Sequence, residues 1–176
     1  MIYIIMEYFQ ILKDRRSIRS YKKEPLPEEL LNKVLEAARL AQSANNRQPW
    51  RFIIIQDETS KRKIAELCKK SKWVADASVI LAGVAVDTDY RMGNGRSASD
   101  IDLSIALTQI SLAAVDQMLG TCWIGSFKYD EAMEFLKIPN DNILVGFMTL
   151  GFPNESPDPR SRKLLNEITF HEFWEE

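Results

Sequence analysis

Apolar residues along this chain fall into blocks whose spacing switches between helical and extended periods. Glu7 to Lys13 carries Tyr8, Phe9, Ile11 and Leu12, a short amphipathic helix that runs into the basic cluster Arg15-Arg16-Ser17-Ile18-Arg19. Pro25-Leu26-Pro27-Glu28-Glu29 predicts a helix start, with proline and carboxylates in the first turn. Leu30, Leu31, Val34, Leu35, Ala38 and Ala41 then recur at helical spacing to about Gln42. The polar turn from Ser43 to Trp50 breaks that period, and Arg51 to Gln56 reads as a buried strand. Ser60 to Lys70 predicts a second amphipathic helix on Ile64, Ala65, Leu67 and Cys68.

The second half is more apolar. Val79 to Val86 is a continuous run short enough for a central strand. Thr88 to Ser99, with Gly93-Asn94-Gly95 inside it, reads as a loop. Asp100 to Leu119 predicts a long helix with apolar residues almost all round, which implies burial on most sides. In so small a chain that points to burial against a second subunit. Thr121 to Phe127 reads as a strand, Asp130 to Leu136 as a helix and Ile143 to Leu150 as another core strand. The exit from Gly151 to Pro159 is rich in proline. Ile168 to Trp174 is hydrophobic enough to be expected to pack on its own domain or on a partner. No repeat or linker divides the chain, so one domain over residues 1–176 is expected.

Composition narrows the function classes. At 176 residues, 45% apolar and 27% charged, the chain can bury a substantial core. A net charge of -2 and a pI near 5.6 argue against nonspecific nucleic-acid binding. Two cysteines, Cys68 and Cys122, and one histidine offer no zinc pattern and suit a reducing cytoplasm. Met1 to Met6 is too short to span a bilayer and lacks the parts of a signal peptide, so no membrane partner is expected. Met6 is an alternative start, with the first five residues an upstream extension or a strand.

What chemistry there is lies in anion-binding groups. Arg15, Arg16 and Arg19 near one end and Arg160 and Arg162 near the other each enclose a serine, as suits a phosphate ester held from two sides. A solvated helix end and a surface pair explain the same residues more plainly. Ser43-Ala44-Asn45-Asn46 is richer in donors and acceptors than a simple turn needs. Gly125-Ser126 admits close approach of a flat ligand, or a strand bulge. Cys122 reads as a small buried hydrophobe, and His171 has no triad partner. An anion grip without a nucleophile, metal cage or acid–base pair suits a protein whose reactive centre is a bound cofactor.

In order and spacing these segments resemble the FMN-dependent nitroreductase family from Tyr8 to Trp174. The carriers are Arg15 to Arg19, Ser43 to Trp50, Asp102 with Ala106 and Leu112-Ala113-Ala114, Trp123 to Phe127, and Gly151-Phe152-Pro153 with Arg160-Ser161-Arg162. The resemblance implies an α+β fold, a central sheet flanked by helices, in an intertwined homodimer with FMN at the interface. It implies that Arg15, Ser17, Arg160 and Arg162 hold the phosphate and ribityl chain, and that Arg19 lies near the pyrimidine edge. Arg16 would face the cofactor with its backbone. Ser43, Ala44, Asn46 and Gln48 would come from the other subunit, and Gly125 and Ser126 would approach the ring near N5 and O4. NADH or NADPH would be the reductant, and a nitroaromatic, quinone or similar small molecule the acceptor, in a ping-pong cycle.

The chain departs from the family pattern at Gln42, Ala44 and Trp73, and its Thr88–Ser99 segment is short. Two other classes stay open: a flavin-binding or redox-sensing protein without turnover, and a dehalogenating or flavin-degrading relative on the same scaffold.

Overall fold

The computed structural model describes residues 7–69 and 71–174, so the expectations for Met1–Met6 and for a helix end at Lys70 lie outside the described residues. Four strands form the sheet: β1 (Trp50–Ile55), β2 (Val79–Ala85), β3 (Gly120–Ile124) and β4 (Ile143–Gly151). Their order is β1-β2-β4-β3, with every neighbour antiparallel. β2 lies inside the sheet and is buried along its whole length, as its unbroken apolar run requires.

Because side chains alternate across a strand, the sheet builds two cores. Val79, Leu81, Met148 and Leu150 face α2 (Glu28–Arg39) and α5 (Ala98–Asp116). Ile80, Ala82, Val84 and Phe147 face α3 (Glu58–Leu67), α4 (Trp73–Asp76) and α6 (Tyr129–Phe135). The fold is α+β, as expected. α5 rests close on the sheet at Gly83, where an added Cβ would stand 3.0 Å from Leu107 Cδ1.

Several boundaries differ from the sequence pattern. α3 begins two residues earlier than its apolar period, because Asp57 caps it and accepts the Ser60 N–H at 2.8 Å. α2 stops at Arg39 rather than near Gln42, and β3 ends at Ile124, which leaves Gly125 and Ser126 just beyond the strand. α4 was not foreseen, since four residues are too few to show a period. Inside the segment read as a loop, Arg91 bridges Ser97, the Met92 N–H donates to Arg96 O at 2.9 Å, and Gly95 turns with φ +79°.

α5 is apolar and long enough to cross a bilayer, yet half of it is buried against α2 and the sheet. Its outer strip, including Ile101, Thr108 and Gln109, is exposed. α1 (Tyr8–Asp14) is exposed at Tyr8, Phe9 and Leu12. Of the two destinations expected for the terminal hydrophobic stretch, packing on its own domain is excluded. Residues 160–174 are exposed throughout, Phe173 at 75% and Trp174 at 79%. β4 ends at Gly151, and Pro157 and Pro159, which carry no N–H to pair with a strand, follow the last main-chain pairing at Asn154.

Candidate functional site

The basic cluster after α1 is held by the sheet. Ser17 pairs in parallel with Thr121 on the free edge of β3, and the Ile18 N–H donates to Thr121 O at 2.9 Å. The contact depends on a glycine, because a Cβ at Gly120 would stand 2.7 Å from Ile18 Cγ1. Tyr21 locks the segment from behind. Its buried hydroxyl donates to Ile18 O at 2.8 Å and shares a 2.7 Å hydrogen bond with Thr149. Burial raises the Tyr21 pKa well above that of a free phenol.

Arg15, Ser17 and Arg19 gather around Cys122. Burial raises the pKa of this thiol, while the Arg19 charge, a hydrogen bond with Ser17 and the Arg15 charge pull the other way. The Arg19 guanidinium also lies 5.9 Å from the centre of the Trp73 ring. Arg16 differs. Its side chain donates to the carbonyls of Lys13, Arg15 and Pro157, the last at 3.2 Å, so it binds the chain to itself.

The exit segment runs beside this cluster. The Lys22 N–H donates to Phe152 O and the Asn154 N–H to Ser20 O, each at 2.9 Å, and the Arg19 N–H donates to the Glu155 carboxylate. Arg160 and Arg162 lie beyond the Arg16–Pro157 contact and are exposed, with Arg162 Nη1 donating to the carbonyls of Arg160 and Ser161 at 3.1 Å. The structure therefore brings together Arg15, Ser17 and Arg19, and leaves Arg160 and Arg162 outside that group.

The second segment sits at the start of β1. Asn45, Asn46 and Gln48 all have positive φ, at 51°, 56° and 52°. Asparagine accepts that backbone readily and glutamine less so, so the turn must be held from outside. Asp102, Tyr90 and Asp87 hold it from outside, and Ser43 from within. The buried Asp102 carboxylate accepts the Ala44 N–H with both oxygens, at 3.1 and 3.2 Å. Ser43 Oγ accepts the Gln48 N–H at 3.0 Å, and Asn45 Nδ2 donates to the Tyr90 hydroxyl at 2.9 Å. Arg47 pairs with Asp87 at 2.5 Å and stacks 4.4 Å from the centre of the Tyr90 ring. That pairing holds the Asp87 carboxyl below its ordinary pKa. Asp87 and Tyr90 were not singled out in the sequence, and their isolated positions before a glycine-rich stretch offered no signal.

These two groups occupy opposite corners of the sheet. Three strand spacings of about 4.8 Å across and six residue steps of about 3.3 Å along put the strand residues that anchor them, Thr121 and Trp50, about 25 Å apart. Gly125 and Ser126 lie at the far end of the β3 edge, about 13 Å from Thr121 on the same rise. Both are exposed, and a Cβ at Gly125 would meet only the Trp123 ring at ordinary contact distance, Nε1 at 3.5 Å and Cδ1 at 4.0 Å. One edge thus carries cations at one end and bare backbone at the other. A large open cleft of about 1390 Å³ lies elsewhere, against α3 and α4, with lysines and glutamates mixed along its walls, and it contains none of these residues.

The model of the Nitroreductase family matches residues 12–87 and 69–152. The chain belongs to that family. A relative from Thermus thermophilus named NADH dehydrogenase is 48% identical over 185 residues, covering 88% of this chain and 90% of its own. A Bacillus subtilis protein named FMN reductase (NAD(P)H) is 32% identical over 183 residues, covering 94% and 73%. The solved FMN-dependent nitroreductase of Clostridium difficile R20291 superposes with a TM-score of 0.82 at 25% identity, covering 94% of this chain and 99% of that one.

Proposed function

We propose that this single-domain nitroreductase is an FMN-dependent NAD(P)H oxidoreductase of the cytoplasm that works as a homodimer. The observation that carries the proposal is the division of the site between opposite corners of one sheet. Residues about 25 Å apart cannot hold one mononucleotide, but the corner of one protomer can meet the opposite corner of its partner. Ile101 on the exposed side of α5, with Tyr8, Phe9, Phe173 and Trp174, supplies apolar surface that such a dimer would bury.

FMN fits the residues present. Arg15 and Ser17 would neutralise and orient the phosphate, with Arg160 and Arg162 closing on it in the assembled dimer. Arg19, propped on Trp73, would place a positive charge toward the pyrimidine edge. The clearance at Gly125 and Ser126 would admit the ring edge, while the backbone at Arg16 would face the cofactor. From the other protomer, Ser43, Ala44, Asn46 and Gln48 would complete the cradle, held in shape by Asp102 and Tyr90. When bound, FMN would supply the redox chemistry that carries hydride from NADH or NADPH to a nitroaromatic, quinone or similar acceptor in ping-pong order.

Anaerobic mixing tests this. Purified protein is expected to carry a flavin spectrum and to bleach on addition of NADH or NADPH. A flavin-loaded dimer that stays oxidised with both donors would reject the enzyme reading.

A further inference from the structure

The Gly93-Asn94-Gly95 stretch takes no part in either corner of the sheet. It forms the tip of a hairpin in which Arg91 bridges Ser97, the Gly95 N–H donates to Met92 O at 2.8 Å and the Met92 N–H donates to Arg96 O at 2.9 Å. All three tip residues are exposed. Of the asparagines in the chain, Asn94 alone precedes a glycine. A main-chain nitrogen can attack the side-chain carbonyl of the asparagine before it, and glycine leaves that approach clear of a Cβ. Nothing lies within 4 Å of where a Cβ would stand at Gly95. Asn94 Oδ1 meanwhile accepts the Arg96 N–H at 3.1 Å, which folds the side chain toward the main chain at Gly95. The same bond draws charge from Cγ and sets a donor at the oxygen where negative charge collects during attack.

We infer that Asn94–Gly95 is a site of spontaneous main-chain modification that passes through a cyclic imide. The Gly95 nitrogen loses its proton to water and bonds to Asn94 Cγ. The Cγ–Nδ2 bond breaks, and Nδ2 leaves as ammonia with a proton regained from water. A second water opens the imide at either carbonyl, giving aspartate or isoaspartate, and no oxidant or reductant is needed. The Gly95 N–H must first leave Met92 O, so the step waits on local opening of the exposed tip. Isoaspartate inserts a methylene into the main chain between Met92 and Arg96 and breaks their pairing. The same hairpin carries Tyr90, whose hydroxyl accepts from Asn45 and whose ring lies against Arg47, so the change reaches the Ser43–Gln48 turn. The inference stands apart from the flavin reading.

The test ages the folded, full-length protein at physiological temperature and maps its asparagines by digestion and mass spectrometry, in wild type, Gly95→Asn and Asn94→Gln. Wild type should accumulate both acids at Asn94 ahead of every other asparagine, with isoaspartate in excess. Gly95→Asn accepts the φ of +79° at that position while adding a Cβ, and should slow the reaction at Asn94 about tenfold. Asn94→Gln should gain no acid there. Aged wild type should also exchange the Gln48 amide proton faster than aged Asn94→Gln. An Asn94 that stays intact while other asparagines react overturns the inference. So does aspartate alone, the product of direct hydrolysis, and so does a Gly95→Asn protein that reacts as fast as wild type. Equal exchange at Gln48 overturns the link to the turn.

Discussion

The two corners of the sheet are held in place by different means. At the β3 edge, Arg15 to Tyr21 is stitched on by main-chain pairing with Thr121, Phe152 and Asn154, and seated on Gly120. At the start of β1, Ser43 to Gln48 is held by side chains: the Asp102 carboxylate, the Tyr90 hydroxyl and the Arg47–Asp87 pair. A segment built into a sheet keeps its shape whatever binds it. A turn with three left-handed residues, braced by side chains, depends on each brace. On the reading proposed above, the first corner would be a rigid receptor for an anion, and the second a loop that completes a neighbour's site.

The largest expected effect lies at the receptor corner. Replacing both Arg15 and Arg19 with alanine should weaken FMN binding by about 2 kcal/mol per guanidinium, roughly a thousandfold together, with the melting temperature of the flavin-free protein unchanged. Flavin titration measures it, and undiminished affinity would break the assignment of that corner to FMN, with Arg15 at its phosphate and Arg19 toward its pyrimidine edge. Next comes Gly120→Val, which drives a side chain into Ile18. It should destabilise the fold by about 1–3 kcal/mol in urea titration and release flavin as the segment lifts.

At the presented corner, Asp102→Ala removes the acceptor of the Ala44 N–H and should cost about 1–2 kcal/mol of stability. Mixed dimers sharpen the comparison. Joining an Asp102→Ala chain to an Arg15→Ala chain should leave one site carrying both defects and one carrying neither, so half the flavin should bind normally. Two equally impaired sites would show that each corner serves its own chain. The smallest effect is that of Asp87. Its folded pKa lies below the ordinary 3.8, so its share of stability is complete above that value and is lost as pH falls through the lowered one. Asp87→Asn should remove that acid-side slope and leave neutral stability nearly unchanged, since the pair is largely exposed.

Elements with long or fully apolar patterns were legible in the sequence. β2 and β4 stand where their runs put them, because burial on both faces leaves little freedom in composition, while α5 lies two to three residues nearer the N-terminus than its run, at Ala98–Asp116. The short α4 and the Arg91–Ser97 bridge were not legible, since neither has a repeating period. At the site, Arg15, Ser17 and Arg19 come together as their spacing suggested, whereas Arg160 and Arg162 stay outside that group in a single chain. A linear pattern can mark a cation, but it cannot say which chain's surface the cation meets. Trp123 was quoted for its place in a motif. Its exposure above Gly146 depends on a pairing between strands far apart in sequence.

The pairing of Ser17 with Thr121 and of Arg16 with Pro157 also sets an order of events during synthesis. The proposed anion receptor joins Arg16 and Ser17 to segments translated much later, so the chain as far as Pro157 must leave the ribosome before the receptor exists. Flavin capture is therefore a late step in biogenesis, and cells starved of the vitamin would accumulate finished but less stable apoprotein.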